Sequence, residues 1–524
     1  MPSRLKTFIY LLPLLTLLSF AVCRSVERPL SDFAGYYFGG KEIWSGRFMN
    51  AYDMELLNDL VAAKGHTGVY VSYAPFPPFT SLVFAPFYAI PVATAKLLFS
   101  IISCICFVIS LLRAWRYFHI PVQALLLIPL VFFLPLVNNI FFGQSYLLLF
   151  CLLLEGFMAF RKDRPAVASV FWGVAILFKL FPAVLFFYLL SAKRMKHCLY
   201  LGVSCLLLFL LSLAVNGSAV WLFYLRDILP RLNAGELNQP FTPAFQSFFM
   251  LCKNAFVRDA LLNPGPAYES ALLFTITTGM YKAFLLCVAF SYTVRGKGSD
   301  FSRFAVWILV SMLISPNGST YSLVLLLIPF LALWQPGAYL PSRQWVMPIM
   351  VSVLVCLACN VPVGLFARAP LLLQFPRLFM LLALLALMFW KRNTVLHLPL
   401  LGALTVLFVL PGLLRKTQSD GSTYLLHKQQ DLFLTGYTVR NGRLVCYSWD
   451  GKRNEQETDI QVNSITDKGL RLQDNQIYLG YSQLTHSGDW KRKPAIINGN
   501  TLIYLSDRDR GICFYTLRKI ILPY

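Results

Sequence analysis

Apolar runs of membrane length follow one another along most of this chain, and the breaks between them carry its polar residues. After MPSRLK comes FIYLLPLLTLLSFAVC, then a polar stretch over 24–79 that includes SDFAGYY and closes on SYAPFPPF. Residues 80–91 are apolar but short. Further runs occupy 92–112, 119–137, 142–160, 165–190 and 198–215. A second polar stretch covers 216–269, and runs resume at 270–291, 301–314, 320–336, 344–364, 371–390 and 394–412. A helix needs about 20 apolar residues to cross a bilayer, so most of these runs are predicted spans. Residues 80–91 are predicted to be re-entrant or interfacial. The N-terminal run resembles a signal peptide, but it is long for one and no clear A-x-A site follows, so a retained first span is expected.

The basic residues set an orientation. Arg113 and Arg116 follow the run at 92–112, and RKDR (161–164) follows the run at 142–160. RGKG (295–298) and KRN (391–393) follow later ones. With the N-terminus inside, all fall on the cytoplasmic side, where Lys and Arg collect. The run 165–190 is basic at both ends, RKDR before it and AKRMKH after it, so one crossing does not fit. A break at Lys179-Leu180-Phe181-Pro182 is predicted, because Pro182 removes a backbone donor and disfavours helix at the residue before it. Lys179 then stands at the outer apex of two short helices. About 13 crossings result, which puts the tail outside with both polar stretches.

The tail from Lys416 alternates in character, as in LFLTGYTVR and RLVCYSW. Asn441-Gly442 between those segments is a hairpin signal, and Asn498-Gly499 is a second turn. The predicted organisation is a polytopic α-helical membrane domain over 1–415, with outer loops at 24–79 and 216–269. A small β-rich extramembrane domain over 416–524 completes it.

The chain is 57% hydrophobic and 13% charged, against about 25% charged in ordinary soluble domains. Its formal charge of +22 is accounted for by cytoplasmic Lys and Arg. No nucleic-acid partner is expected, because the main basic clusters sit between apolar runs rather than on one soluble face. Most of the 12 cysteines fall within apolar runs and read as small buried residues. Cys446 and Cys513 lie in the tail and are candidates for a pair.

Candidate chemistry falls on the outer side. Asp32 opens a predicted helix whose Phe33, Tyr36, Tyr37 and Trp44 fall near one face, as in an amphipathic helix on a membrane surface. Its carboxylate either caps that helix or takes the proton of an attacking hydroxyl. Asp53 is the rival base in the same loop. Lys179 either snorkels or steadies an anion in a low-dielectric cavity. Arg377, a few residues inside a run, is either an interface anchor or a functional cation. Gln144, with Asn138 and Asn139, either lines the cavity or bonds a helix end. Tyr73 with Pro75, Pro77 and Pro78 shapes the loop.

The order and spacing of DFAGYY, AYD, YAPFPPF, FAPFYAIP, FFGQSYLLLF, GVAILFKLFP, FQSFF and ISPNGSTY resemble glycosyltransferase family 87 over roughly residues 25–400. The resemblance implies a polytopic enzyme of the GT-C class. Such an enzyme moves a sugar, with inversion, from a polyprenyl-phosphate donor to a hydroxyl of a glycan or glycolipid. The sugar is expected to be a hexose such as mannose, and neither metal nor other cofactor is implied. The expected place is the outer, periplasmic face of a bacterial inner membrane. The family's loop acid maps onto Asp32, its lysine before proline onto Lys179, and its Gln onto Gln144. Its Gln-Ser maps onto Gln246-Ser247 and its SP motif onto Ser315-Pro316. Asn317 and Tyr321 stand where some members carry histidine. Lys179 and Arg377 are the expected contacts to the donor phosphate, and Tyr36, Tyr37, Asp53 and Tyr73 are expected to complete the cavity. A transporter or flippase of lipid-linked sugars would share cavity and topology, but no inverted repeat of the transporter kind is visible. A non-catalytic scaffold presenting the tail leaves the first-loop acids and the apical lysine without a role.

Overall fold

The computed structural model describes residues 3–66, 69, 71–236, 241–296, 298–336, 346–389, 395–414, 420–426, 434–449, 453–508 and 510–523. Helix α1 (Ser3–Ser25) leads into a layer of short helices: α2 (Asp32–Ala34), α3 (Gly40–Trp44), α4 (Phe48–Tyr52), α5 (Met54–Ala63) and α6 (Thr80–Phe84). Then come α7 (Val92–Tyr117), α8 (Val122–Val131), α9 (Phe133–Phe142), α10 (Tyr146–Arg161), α11 (Pro165–Phe178), α12 (Val184–Ser191) and α13 (Met195–Asn216). The second polar stretch forms α14 (Ser218–Phe223), α15 (Leu229–Asn233) and α16 (Phe248–Phe256). The helical bundle resumes with α17 (Ala271–Arg295), α18 (Asp300–Ile314), α19 (Leu327–Trp334), α20 (Val346–Asn360), α21 (Pro376–Phe389) and α22 (Leu398–Leu414).

Among the described residues, α7, α13 and α17 are long and apolar enough to cross a membrane, and α8 with α9 makes a fourth span if the pair, bent by 59°, counts as one. Most other predicted crossings coincide with shorter apolar helices. Three or four candidate spans therefore stand where about 13 were expected from run length. KRN at 391–393, Lys297 of RGKG and the predicted domain boundary at 415–416 lie outside the described residues.

The run 165–190 breaks where proline and charge predict it. Helix α11 ends at Phe178, Lys179 leaves the helical conformation (φ −147°, ψ 83°), and Phe181–Ala183 makes a 3-10 turn around Pro182 before α12. The basic helix ends gather at one end of the bundle. Arg161 pairs with Asp300, His197 lies 3.6 Å from Asp163, and Phe118 stacks on Phe301 at 4.0 Å. Those contacts join the ends of α7 and α10 to the starts of α11, α13 and α18. The other ends of α10 and α11 meet where Lys179 Nζ lies 5.1 Å from the Tyr146 ring. Lys179 is thus at the end of the bundle opposite the basic cluster.

Residues 32–44 run through α2, a π-helical turn (Gly35–Gly39) and α3. This segment does not lie on a surface as expected. Phe33, Tyr36, Tyr37 and Phe38 are buried and Trp44 alone of its aromatics is exposed. The Tyr36 ring is stacked between Phe76 at 4.2 Å and Phe84 at 4.5 Å. A Cβ on Gly39 would meet Tyr73 Cβ at 2.6 Å, so only glycine lets the helix approach the 71–79 segment this closely.

The C-terminal region contains β1 (Thr423–Tyr424), β2 (Leu434–Arg440), β3 (Arg443–Trp449), β4 (Arg453–Gln461), β5 (Ile465–Thr466) and β6 (Leu470–Gln473). It continues with β7 (Gln476–Leu479), β8 (Ser482–Gln483), β9 (Lys491–Ile497), β10 (Thr501–Ser506) and β11 (Thr516–Ile521). They form a five-stranded sheet, β1-β11-β10-β9-β5, and two three-stranded sheets, β2-β3-β4 and β6-β7-β8. Both predicted turns are present: Asn441 and Gly442 (φ 52° and 73°) join β2 to β3, and Asn498 and Gly499 (φ 52° and 80°) lie between β9 and β10. The region is not detached, because Leu505 and Cys513 share one apolar cluster with Tyr52 and Phe76 of the first polar stretch. Cys446 and Cys513 are both buried and free, so they do not pair.

Candidate active site

Asp32 is the first residue of α2, and Ser31 before it makes no side-chain cap. The Asp32 carboxylate is not spent on a cap either. Instead Gln144 Nε2 donates to its Oδ2 at 2.5 Å. The end of α9 places Gln144. Gly143 takes the left-handed conformation (φ 65°, ψ 38°), the usual helix-ending geometry of glycine, and Gln144 N then bonds Asn139 O at 2.7 Å. Tyr36 Oη donates to Gln144 Oε1 at 3.0 Å and lies 3.0 Å from Ser145 Oγ. The amide is therefore engaged at both ends, and Tyr36 orients it so that its nitrogen faces Asp32. Alanine at Gly143 would carry a left-handed cost of about 1–2 kcal/mol and set its Cβ 2.6 Å from Phe33 Cβ. Gly143→Ala is expected to lower thermal stability in detergent by at least that amount and to reduce activity with it.

Lys179 is half-buried, with Nζ 4.6 Å from the Phe76 ring centroid, 5.1 Å from Tyr146 and 5.6 Å from Tyr36. Among the described residues its Nζ makes no hydrogen bond and no ion pair. It shares with Asp32 and Gln144 a cavity of about 470 Å³, which Tyr146, Ser315, Asn317 and Tyr321 also line. Burial pushes the Asp32 carboxyl above the ordinary aspartate range, while the Gln144 bond and the positive charges of Lys179 and Lys96 pull it part of the way back.

A smaller cavity of about 40 Å³ adjoins the first through Tyr146, Ser315 and Asn317, and Arg377 and Gln246 line it. Arg377 is 4% exposed. Its Nη1 donates to Thr320 Oγ1 at 2.6 Å and its Nη2 to Val361 O at 2.9 Å, while Nε has no partner. Gln246 accepts from the Arg377 backbone N–H at 3.1 Å and donates to Gln374 O at 2.7 Å. Ser247 Oγ donates to Pro316 O at 2.6 Å. The Gln-Ser pair therefore ties α16, the Ser315–Asn317 turn and the start of α21 together.

Other expected site residues lie elsewhere. Tyr37 donates to Ile90 O at 2.7 Å and Tyr73 to Pro77 O at 3.3 Å; neither lines the cavity, and both brace the 71–90 segment. Asn139 ties α9 to Tyr321 O at 2.8 Å. Asp53 does not line the cavity. It caps α5, accepting from Glu55 N and Leu56 N at 3.1 Å, and pairs with Arg492 of β9. The structure gives it the contacts of a helix cap and of a tie to the β region. Lys282, in the middle of α17, also lines the cavity and was missed. Its signal was present: it is the one charged residue in the apolar run 270–291. Among the described residues no group of three His, Cys, Asp or Glu side chains is placed to hold a metal ion.

No curated protein and no solved structure matches this chain at a significant level. Residues 74–316 match the family model of glycosyltransferase family 87. The matched stretch supplies Gln144, Lys179, Gln246 and Ser315; Asp32, Asn317, Tyr321 and Arg377 lie outside it. That match spans just under half of the chain, and with the apolar helices around the cavity it makes the chain similar to the membrane glycosyltransferases of family 87.

Proposed function

We propose that the larger cavity transfers a sugar, with inversion, from a polyprenyl-phosphate donor to an acceptor hydroxyl. The observation that supports this most is that a carboxylate not spent on capping, Asp32, and an unpaired cation, Lys179, face one cavity. In this scheme Asp32 takes the acceptor's proton as the hydroxyl oxygen attacks the anomeric carbon. The bond from that carbon to the phosphate oxygen breaks, and negative charge grows on the leaving phosphate. Lys179 stabilises that charge in a dry, apolar setting, and Arg377 adds positive charge from the adjoining cavity. Gln144 holds Asp32 in place, and Ser315, Asn317, Tyr321 and Tyr146 face the sugar. No metal or other cofactor enters the scheme. Mannose is the first hexose to try, with a glycan or glycolipid as acceptor. Membranes carrying the chain should incorporate labelled mannose from polyprenyl-phosphate mannose covalently. Passage of intact donor across the bilayer with no covalent transfer would favour a flippase instead.

The same reading puts the cavity on the periplasmic face of a bacterial inner membrane, since the basic ends lie opposite it. Tyr481 in the β region is fully exposed at 100%. With the exposed Cys23 replaced first, Tyr481→Cys should react with an impermeant thiol reagent in intact cells. Reaction only after permeabilisation would reverse the topology.

A further inference from the structure

Tyr224 lines the larger cavity, and the proposed transfer scheme gives it no part. It is 1% exposed, yet among the described residues its hydroxyl has no hydrogen-bond partner. A buried tyrosine hydroxyl is ordinarily bonded, and a buried polar group without a partner calls for an explanation. The backbone singles out the same residue. Tyr224 opens a π-helical turn, Tyr224–Ile228. Such turns are rare and frequently mark functional sites. The other π-helical turn among the described residues, Gly35–Gly39, carries Tyr36, which orients Gln144 against Asp32.

The Tyr224 ring is fixed in place. Trp221 meets it edge-on at 6.1 Å, and Tyr52 lies 6.3 Å away. Tyr52 in turn donates to Phe76 O at 3.0 Å, and the Phe76 ring centroid lies 4.6 Å from Lys179 Nζ. Contacts thus run from Lys179 through Phe76 and Tyr52 to Tyr224. Two further groups line the cavity from the same two polar stretches, the Ser72 hydroxyl and the Asn233 amide. Among the described residues neither side chain makes a hydrogen bond. Asn233 ends α15, and that helix is anchored from behind. Arg231 is 9% exposed and donates to Glu236 Oε2 at 2.7 Å and to Asp507 Oδ2 at 2.9 Å. The wall that carries these groups is therefore built before a ligand arrives.

The chemistry of that wall narrows the ligand. Two hydroxyls and an amide are neutral groups that both give and accept hydrogen bonds. The charged residues that line the cavity, Asp32, Lys179 and Lys282, come from other elements. Neutral donors and acceptors side by side fit the hydroxyls of a sugar ring. A phosphate calls for a cation, and an isoprenoid tail would leave these groups unpaired. They stand on the two outer stretches and reach the leaving-group cation only through Phe76 and Tyr52, so the sugar they suit is the acceptor's.

We propose that Tyr224, with Ser72 and Asn233, forms an acceptor subsite that binds non-reacting hydroxyls of a sugar, so that the acceptor is a glycoside rather than a simple alcohol. This rests on the cavity being the transfer site.

Two readouts test it, with hexyl mannoside, hexyl glucoside and hexanol as probes. The first is binding, seen as a ligand-induced rise in melting temperature of the full chain in a detergent without a sugar headgroup. The second is transfer of label from polyprenyl-phosphate mannose to the same probes. A glycoside is expected to stabilise wild type and to accept label. Hexanol should do neither, because a site built to bond hydroxyls rejects an analogue that lacks them. Tyr224→Phe removes a hydroxyl that makes no bond in the free protein, so its melting temperature without ligand should match wild type. It should raise the acceptor KM about tenfold, keep kcat at saturating acceptor, leave the donor KM in place and shrink the glycoside-induced shift. An unchanged acceptor KM and shift in Tyr224→Phe, a rise confined to the donor KM, no glycoside-induced shift in wild type, or hexanol performing as well as the glycosides would overturn the proposal. A shift that Tyr224→Phe loses, with no label transferred to any probe, would keep the subsite and count against the transfer reading instead.

Discussion

Asp32→Asn should lose about 10²–10⁴-fold in transfer rate, the usual contribution of a general base, in a protein that folds normally. Asparagine can still accept from Gln144 Nε2 through its amide oxygen, so the neighbourhood survives. The stability effect has a definite sign. Burial raises the folded-state pKa of Asp32, so its contribution to stability is full below the unfolded-state value and is lost as pH rises through the folded one. At neutral pH the ionised carboxylate is therefore a burden, and the neutral Asp32→Asn variant should melt at the same temperature or higher. The same raised pKa means that wild-type activity should fall on the acid side at a pH above the ordinary aspartate range. Asp53→Asn should behave in the opposite way. It weakens the α5 cap and the pairing with Arg492, so stability should fall while the acid limb of the pH profile stays in place. Parallel melting curves and pH–rate profiles of the two variants check both statements. An Asp32→Asn protein with near-normal transfer would remove Asp32 from catalysis.

Lys179→Met should lower turnover about 10²–10³-fold, as deletion of one group that stabilises developing charge commonly does. Methionine is similar in length and suits a cage formed by Tyr36, Phe76 and Tyr146. The variant should therefore fold, with no loss of melting temperature. The defect should appear at saturating acceptor and persist at saturating donor, because the charge on the phosphate grows only as the bond breaks. Normal single-turnover rates in a folded Lys179→Met protein would exclude this role.

Several features were legible because a local rule decides them. The break at Lys179–Pro182 follows from proline chemistry and from basic residues at both ends of one run. Asn441-Gly442 and Asn498-Gly499 mark turns because both residues tolerate positive φ. Other features depend on partners that the chain brings from afar. Periodicity showed that residues 32–44 carry an aromatic face, but not whether lipid or protein covers it; Phe76 and Phe84 do. Asp53 looked like a base because its partner, Arg492, lies 439 residues away. Run length does not locate helix ends, because apolar residues do not fix where one helical form gives way to another. Residues 320–336 read as one run, but they split into a 3-10 segment at Thr320–Leu326 and then α19. Lys282 was visible as a lone charge, yet only the folded chain shows that it faces the cavity.

The central claim is that the cavity containing Asp32 performs covalent transfer from a lipid-phosphate sugar. Purified chain in proteoliposomes, supplied with labelled polyprenyl-phosphate mannose and an extract of membrane lipids as acceptor, tests it most directly. The account predicts that label moves covalently into a glycosylated product with wild type, and that Asp32→Asn yields none above background while still binding donor. Label that stays on the polyprenyl phosphate, or product that forms equally well with Asp32→Asn, would contradict it.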